Sequence, residues 1–282
     1  MIIPGSGSQA LAADLAAILD EDLAPVEYER FPDGEVMARI GDVSPDRAVV
    51  VASTPTSDSH LELLQLQDAA REAGANDIVT VLPYMGYARQ DKVFKPGEPI
   101  SSRAVARAIS ANTDHVITVN PHERAVCDFF EPSAIALDAA SVLADPLPHD
   151  LVEPLFLAPD DGAIDIAQTV RDTYGTGETD YFEKTRLSGS EVEISPSDAA
   201  VAGRDVVVVD DIVATGSTMS ESIAVLNERD AARVYVACVH PLLAQNAVTK
   251  LARAGVERVI GTDTLERPVS QVSVAKVVAE EL

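Results

Sequence analysis

The chain has no tryptophan, two cysteines and only 4% aromatic residues. Cys127 and Cys238 fit no metal-ligand spacing and stand among apolar neighbours, so buried free thiols are expected rather than a disulfide. No run of about eighteen apolar residues occurs, which leaves no candidate for a membrane-spanning helix. The first residues lack a basic stretch followed by an apolar one, the mark of a secretory leader. A soluble, cytoplasmic protein is the expectation. Positive charge is also scarce. Lysine and arginine total 21 against 46 acidic residues, a net charge of -25, and only 5 of the 21 are lysines. Nucleic-acid binding needs a basic footprint, and none is visible. The acidic residues are spread along the chain rather than gathered in a tail. Such a surface suits concentrated salt, where screening shortens to roughly 3 Å at 1 M and self-repulsion costs little. A halophilic source is expected.

At 282 residues the chain is long enough for two domains, each with its own core. Apolar runs and amphipathic stretches alternate, the pattern of a parallel α/β sheet. Strands are predicted over 48–52, 78–82, 115–119, 205–209, 234–239 and 258–262. Helices are predicted over 8–19, 59–73, 101–110, 163–173, 219–226 and 245–254, with Gly74 and Gly255 at helix ends. Four prolines between positions 145 and 159 (Pro146, Pro148, Pro154, Pro159) mark a junction, giving domains 1–144 and 145–282. A faint repeat spans it: strand, loop, helix and strand from Val49 to position 82, and again from Val207 to position 239.

The most informative segment is Val206-Val207-Val208-Val209-Asp210-Asp211-Ile212-Val213-Ala214-Thr215-Gly216-Ser217-Thr218. Four β-branched residues read as a buried parallel strand. In open α/β sheets ligands sit beyond the carboxyl ends of the strands. A small-residue turn opening a helix there directs backbone N–H groups, hydroxyls and the positive end of the helix dipole at an anion. Asp210 and Asp211 suit sugar hydroxyls or a magnesium ion beside that anion. The combination describes a site for a phosphorylated sugar.

Other segments add chemistry. Arg89, Gln90, Asp91 and Lys92 follow a strand and the turn Pro83-Tyr84-Met85-Gly86, a setting suited to a polyphosphate. Phe31-Pro32-Asp33-Gly34-Glu35 is a turn by composition; its aromatic face and two carboxylates could hold a purine ring and its amine. His122 and Asp160 each follow an apolar strand, His122 at the crevice edge. Asp160 suits either a magnesium ligand or a helix cap. Lys184 and Arg186 stand one residue apart beside a polar, glycine-containing stretch, where a flexible loop could close over a transferring phosphoryl group.

In order and identity these segments resemble the ribose-phosphate pyrophosphokinases over essentially the whole chain. The acidic loop alone indicates only the wider type I phosphoribosyltransferase fold; the other five segments, in sequence, narrow it. The resemblance implies two similar parallel-sheet α/β domains with the active site between them, and so accounts for the repeat. It implies that Arg89, Gln90, Asp91 and His122 contact ATP. Phe31, Asp33 and Glu35 would reach the ATP of a neighbouring subunit in a homo-oligomer. His122 and Asp160 would match the Mg2+ positions. Asp210, Asp211, Thr215, Gly216, Ser217 and Thr218 would hold ribose 5-phosphate, and Lys184 and Arg186 would be catalytic. One departure is Ala214, where many members carry an acidic residue. A phosphoribosyltransferase that transfers the sugar to a base would share the acidic loop but need neither the Phe31 turn nor a second domain. A silent regulatory relative should have lost the Lys-x-Arg pair or the metal positions.

Overall fold

The computed structural model describes the backbone of residues 1–188, 191–196 and 199–282, and side chains outside 184–198. The chain divides into two compact units, Met1–Asp138 with Asp263–Glu266 and Ser273–Leu282, and Ala139–Thr262 with Arg267–Val272.

The first unit contains β1 (Ile2–Pro4), α1 (Gln9–Leu19), β2 (Val26–Arg30), β3 (Val36–Ile40), β4 (Arg47–Val51), α2 (Ser57–Glu72), β5 (Asp77–Leu82), α3 (Ser101–Ile109), β6 (His115–Val119) and β7 (Ser133–Leu137). Its main sheet has the order β1-β4-β5-β6-β7, and every neighbouring pair is parallel. The near-continuous apolar strands follow from this: helices cover parallel sheets on both faces, so each strand is buried twice over. Val49, Val50, Val51, Ile78, Val79 and Val81 are all at most 4% exposed. The hairpin β2–β3 forms its own two-stranded sheet and rests on α2. There Gln65 accepts from the Ala38 amide at 2.9 Å and donates to the Val36 carbonyl at 2.9 Å.

The second unit contains β8 (Leu155–Ala158), α4 (Ile164–Tyr174), β9 (Glu178–Ser188), β10 (Glu191–Pro196), β11 (Asp205–Ile212), α5 (Ser217–Glu228), β12 (Arg233–His240), α6 (Ala247–Arg253), β13 (Arg258–Thr262) and β14 (Ser270–Val272). Its sheet runs β10-β9-β8-β11-β12-β13-β14, parallel except for β10 on β9. The central β11 has Val206, Val207, Val208 and Val209 all at 0% exposure, each worth roughly 1.5–3 kcal/mol of transfer free energy as an upper bound. Asp205 anchors the start of that strand. Arg233 grips it with Nε at 2.9 Å and Nη2 at 2.6 Å, and the Val152 amide donates at 2.6 Å. Burial alone would raise the Asp205 carboxyl, but these bonds and the arginine charge outweigh it and hold the group below its usual value.

The last helix, α7 (Ala275–Ala279), packs on α1 in the first unit. Glu266, also in that unit, accepts from the Ala10 amide at 2.7 Å and the Leu11 amide at 3.3 Å at the start of α1. The proline-rich passage 145–159 contains β8, a core strand of the second sheet.

Most predicted elements stand within a few residues of their expected ends; the three-residue strands β1 and β14 and the five-residue helix α7 carry too few residues for a periodic signal. Both cysteines are free, as expected, and Cys238 is buried. Cys127 is only half-buried, because it lies in a tight helical turn over Arg124–Phe129 rather than in the core. Among the described residues no helix is long and apolar enough to cross a membrane.

Candidate active site

In the second unit, β11 ends at Ile212 and α5 begins at Ser217, so the turn between them stands at the carboxyl end of a central strand. Gly216 is the N-cap of α5, at φ +70, a left-handed conformation that favours glycine. A Cβ there would also lie 3.4 Å from the backbone of Ala247. Among the described residues no side chain caps the helix, and the first N–H groups of any helix lack intrahelical acceptors. The turn is braced from behind by the segment after β12. Val213 donates to the His240 carbonyl at 3.1 Å, and Leu243 and Ala244 donate to the Val213 and Ala214 carbonyls at 2.9 Å each. The carbonyls are thus directed away from the mouth of the turn, and the amides of a dipole's positive end face it.

Beside this turn the electrostatics change sign. The Asp211 amide donates to Asp210 Oδ1 at 2.9 Å. Burial pushes the Asp210 carboxyl well above the usual carboxylate range, and the charges of Asp211 and Asp160 push it further. Asp160, at the end of β8, is therefore brought to the acidic pair. It makes no side-chain cap to the helical turn that follows. Carboxylates gathered in this way suit the hydroxyls of a sugar, which donate hydrogen bonds to them.

A further residue enters that sequence reasoning missed. Lys250 of α6 donates from Nζ to Ser217 Oγ at 2.8 Å and to the Thr215 carbonyl at 3.3 Å. It lies over thirty positions downstream in an ordinary amphipathic helix; the only local signal was the rarity of lysine in the chain.

In the first unit, Phe31, Asp33 and Glu35 form the tip of the β2–β3 hairpin. The turn closes through Gly34 to the Phe31 carbonyl at 2.9 Å and Phe31 to the Glu35 carbonyl at 2.8 Å, and Asp33 and Glu35 are exposed. Arg89, Gln90 and Asp91 follow β5, and His122 follows β6, so both groups stand beyond the carboxyl ends of adjacent parallel strands. Arg89 and His122 are exposed. Gln90 is also structural. Its Oε1 accepts from Ser101 Oγ at 2.8 Å and its carbonyl from Ser102 Oγ at 3.0 Å, tying the segment to the start of α3. A cleft of about 340 Å³ beside the hairpin is lined by Tyr28, Arg30, Thr56 and Glu62 among others, and contains none of the predicted residues.

Lys184 and Arg186 lie on β9, whose backbone pairs with β10 in the register Lys184 with Ile194 and Arg186 with Val192. The expectation of an irregular loop is corrected to this extent: aromatic and β-branched residues (Tyr181, Phe182, Thr185, Val192, Ile194) favour the extended chain. The side chains of Lys184 and Arg186 lie outside the described residues. Among the described residues no group of three or more histidine, cysteine or carboxylate side chains has metal-holding geometry.

Residues 1–112 match the family model for the N-terminal domain of ribose phosphate pyrophosphokinase, and residues 149–274 match the phosphoribosyl transferase domain. A ribose-phosphate pyrophosphokinase of Halobacterium salinarum is 62% identical over 283 residues, with 100% of each chain covered. The chain belongs to the ribose-phosphate pyrophosphokinase family. The ribose-phosphate pyrophosphokinase of Methanosarcina acetivorans is 46% identical, covering 100% of this chain and 98% of its own. The crystal structure of phosphoribosylpyrophosphate synthetase from Mycobacterium smegmatis superposes with a TM-score of 0.84 at 27% identity, over 100% of this chain and 96% of that one. The family's phosphoribosyl transferase domain spans the β11–α5 turn, Asp160 and Lys250 together.

Proposed function

We propose that the protein is a ribose-phosphate diphosphokinase, transferring the β,γ-diphosphoryl group of ATP to the 1-hydroxyl of ribose 5-phosphate. The products are 5-phosphoribosyl 1-diphosphate and AMP. The observation that carries this reading is the β11–α5 turn: an uncapped helix start joined to an acidic pair, in a chain similar over its full length to ribose-phosphate pyrophosphokinases.

The 5-phosphate sits against the amides and hydroxyls of Thr215, Gly216, Ser217 and Thr218, and Asp210 and Asp211 orient the ribose hydroxyls. Arg89, Gln90 and Asp91 hold ATP together with His122, and Phe31, Asp33 and Glu35 serve the adenine of a neighbouring subunit's ATP in a homo-oligomer. The ribose O1 loses its proton to solvent and forms a bond to the β-phosphorus as that phosphorus parts from the bridging α-phosphate oxygen, and AMP departs with that oxygen. Such transfers depend on positioning and charge neutralisation more than on covalent chemistry. Lys184 and Arg186 stabilise the charge that develops. His122 and Asp160 are the residues that would hold Mg2+, which would neutralise charge on the phosphates. The dispersed acidic surface suits work in the cytoplasm of a salt-accumulating cell.

The test is AMP release by the purified protein in high salt with magnesium and ATP, with and without ribose 5-phosphate. AMP that depends on ribose 5-phosphate supports the reading. Its absence at every salt concentration overturns it.

A further inference from the structure

We propose that Lys250 is a positioning residue for the sugar phosphate: it orients the Ser217 hydroxyl and sets affinity for the phosphate-bearing substrate. This rests on the reading of the β11–α5 turn as the ribose 5-phosphate site.

The argument is one of hydrogen-bond valence. A serine hydroxyl has one proton and two lone pairs, whereas an ammonium has three donors and no acceptor. Because Lys250 Nζ lies 2.8 Å from Ser217 Oγ, the serine must be the acceptor. The Thr215 hydroxyl stands 3.4 Å from the same oxygen, long for a hydroxyl pair. Because the ammonium can only donate, it takes a lone pair and leaves the Ser217 proton to be donated outward, as a phosphate oxygen requires. A second ammonium proton goes to the Thr215 carbonyl at 3.3 Å, which draws that carbonyl back from the mouth of the turn.

Charge gives the same direction. No ion pair of Lys250 occurs among the described residues, so its positive charge is directed at the turn. Position 214 is alanine, so the turn itself contains no carboxylate between Asp211 and Thr218 to cancel it. In a chain of net charge -25 with five lysines, a cation beneath an anion-binding turn offsets a field that otherwise repels phosphate.

The test compares wild type, Lys250→Met and Lys250→Arg by calorimetric titration with ribose 5-phosphate, and by steady-state kinetics. Removing a charge-assisted contact should weaken ribose 5-phosphate binding and raise its KM roughly ten- to hundredfold. The kcat should stay within about threefold and the KM for ATP should be unchanged. Lys250→Arg should recover most of the affinity, which a merely structural role would not predict. In a Ser217→Ala background the Lys250→Met effect should shrink, since the lysine acts through that hydroxyl. Unchanged ribose 5-phosphate affinity in folded Lys250→Met, or no recovery by arginine, overturns the proposal. If wild type binds ribose 5-phosphate in a Lys250-dependent way yet releases no AMP, the diphosphokinase reading fails and the role of Lys250 stands. If wild type does not bind ribose 5-phosphate, both fall.

Discussion

The chain makes the same kind of joint twice, a parallel strand that turns into a helix at its carboxyl end, and the two joints have opposite chemistry. At β4–α2 the helix is closed by its own side chains. Thr56 Oγ1 accepts from the Ser59 amide at 3.2 Å, and Ser59 Oγ accepts from the Thr56 amide at 2.9 Å, a reciprocal capping box. Asp58 stands in the first turn of that helix and pairs with Arg30. Inside the joint, Thr54 donates to the Tyr84 carbonyl at 2.9 Å and accepts from the Gly86 amide at 3.1 Å. At β11–α5 the cap is glycine, no side chain among the described residues closes the helix, and a lysine reaches the turn. The first joint is closed as a structural corner, whereas the second leaves its helix start open with a lysine beside it.

Four substitutions probe that contrast, in descending order of consequence. Thr218→Asp places in α5 the carboxylate that Asp58 provides at the same helical position in α2. Like-charge juxtaposition costs several kcal/mol, so the KM for ribose 5-phosphate should rise at least about a hundredfold in a steady-state assay. A thermal midpoint unchanged or slightly raised, from the carboxylate at a helix start, would show that the fold survives. A KM within a few-fold of wild type would undo the claim that the open joint binds the phosphate.

Gly86→Ala attacks the closed joint. A Cβ at that position would stand 2.1 Å from the Thr54 carbonyl oxygen and 2.9 Å from His60 Nε2, so backbone must move. We expect a loss of roughly 1–3 kcal/mol in urea unfolding.

Thr56→Ala removes the closed joint's cap and should cost about 1 kcal/mol of stability, again by urea unfolding. Because this joint is structural, the KM for ribose 5-phosphate should not change; a matching rise would mean that the two joints are not chemically distinct.

The smallest effect is one of pH. His60, on α2 beneath the closed joint, has both ring nitrogens buried without hydrogen-bond partners among the described residues, and packs at 5.4 Å from the Tyr87 ring. Burial pulls its pKa down to about 4. Between about pH 6.5 and about pH 4 the unfolded chain binds the extra proton and the folded one does not, so the neutral ring favours folding above about 6.5 and that benefit is lost on acidification. In His60→Leu, the fall in urea midpoint from pH 7 to pH 5 should be smaller than in wild type. An equal fall would place the acid sensitivity elsewhere.

Local pattern carried much of the site. The valine run of β11, the acidic pair and the Thr-Gly-Ser-Thr turn are contiguous, so strand, carboxylates and helix start could all be read from one segment. The Phe31 turn is likewise a hairpin tip by its own Pro-Asp-Gly composition. Lys184 and Arg186 were harder. A glycine-containing polar neighbourhood suggested a loop, while the flanking aromatic and β-branched residues place the backbone in β9.

The parallel α/β class, the acidic surface and the small-residue turn after the acidic pair are written in the chain, because each depends on composition or on neighbours within a few residues. Which of two similar joints is closed was settled in three dimensions. So were the approach of Asp160 to Asp210 and the reach of Lys250 to Ser217. These last are contacts between separate elements, set by how strands pair and helices pack, and no periodicity along the chain encodes them.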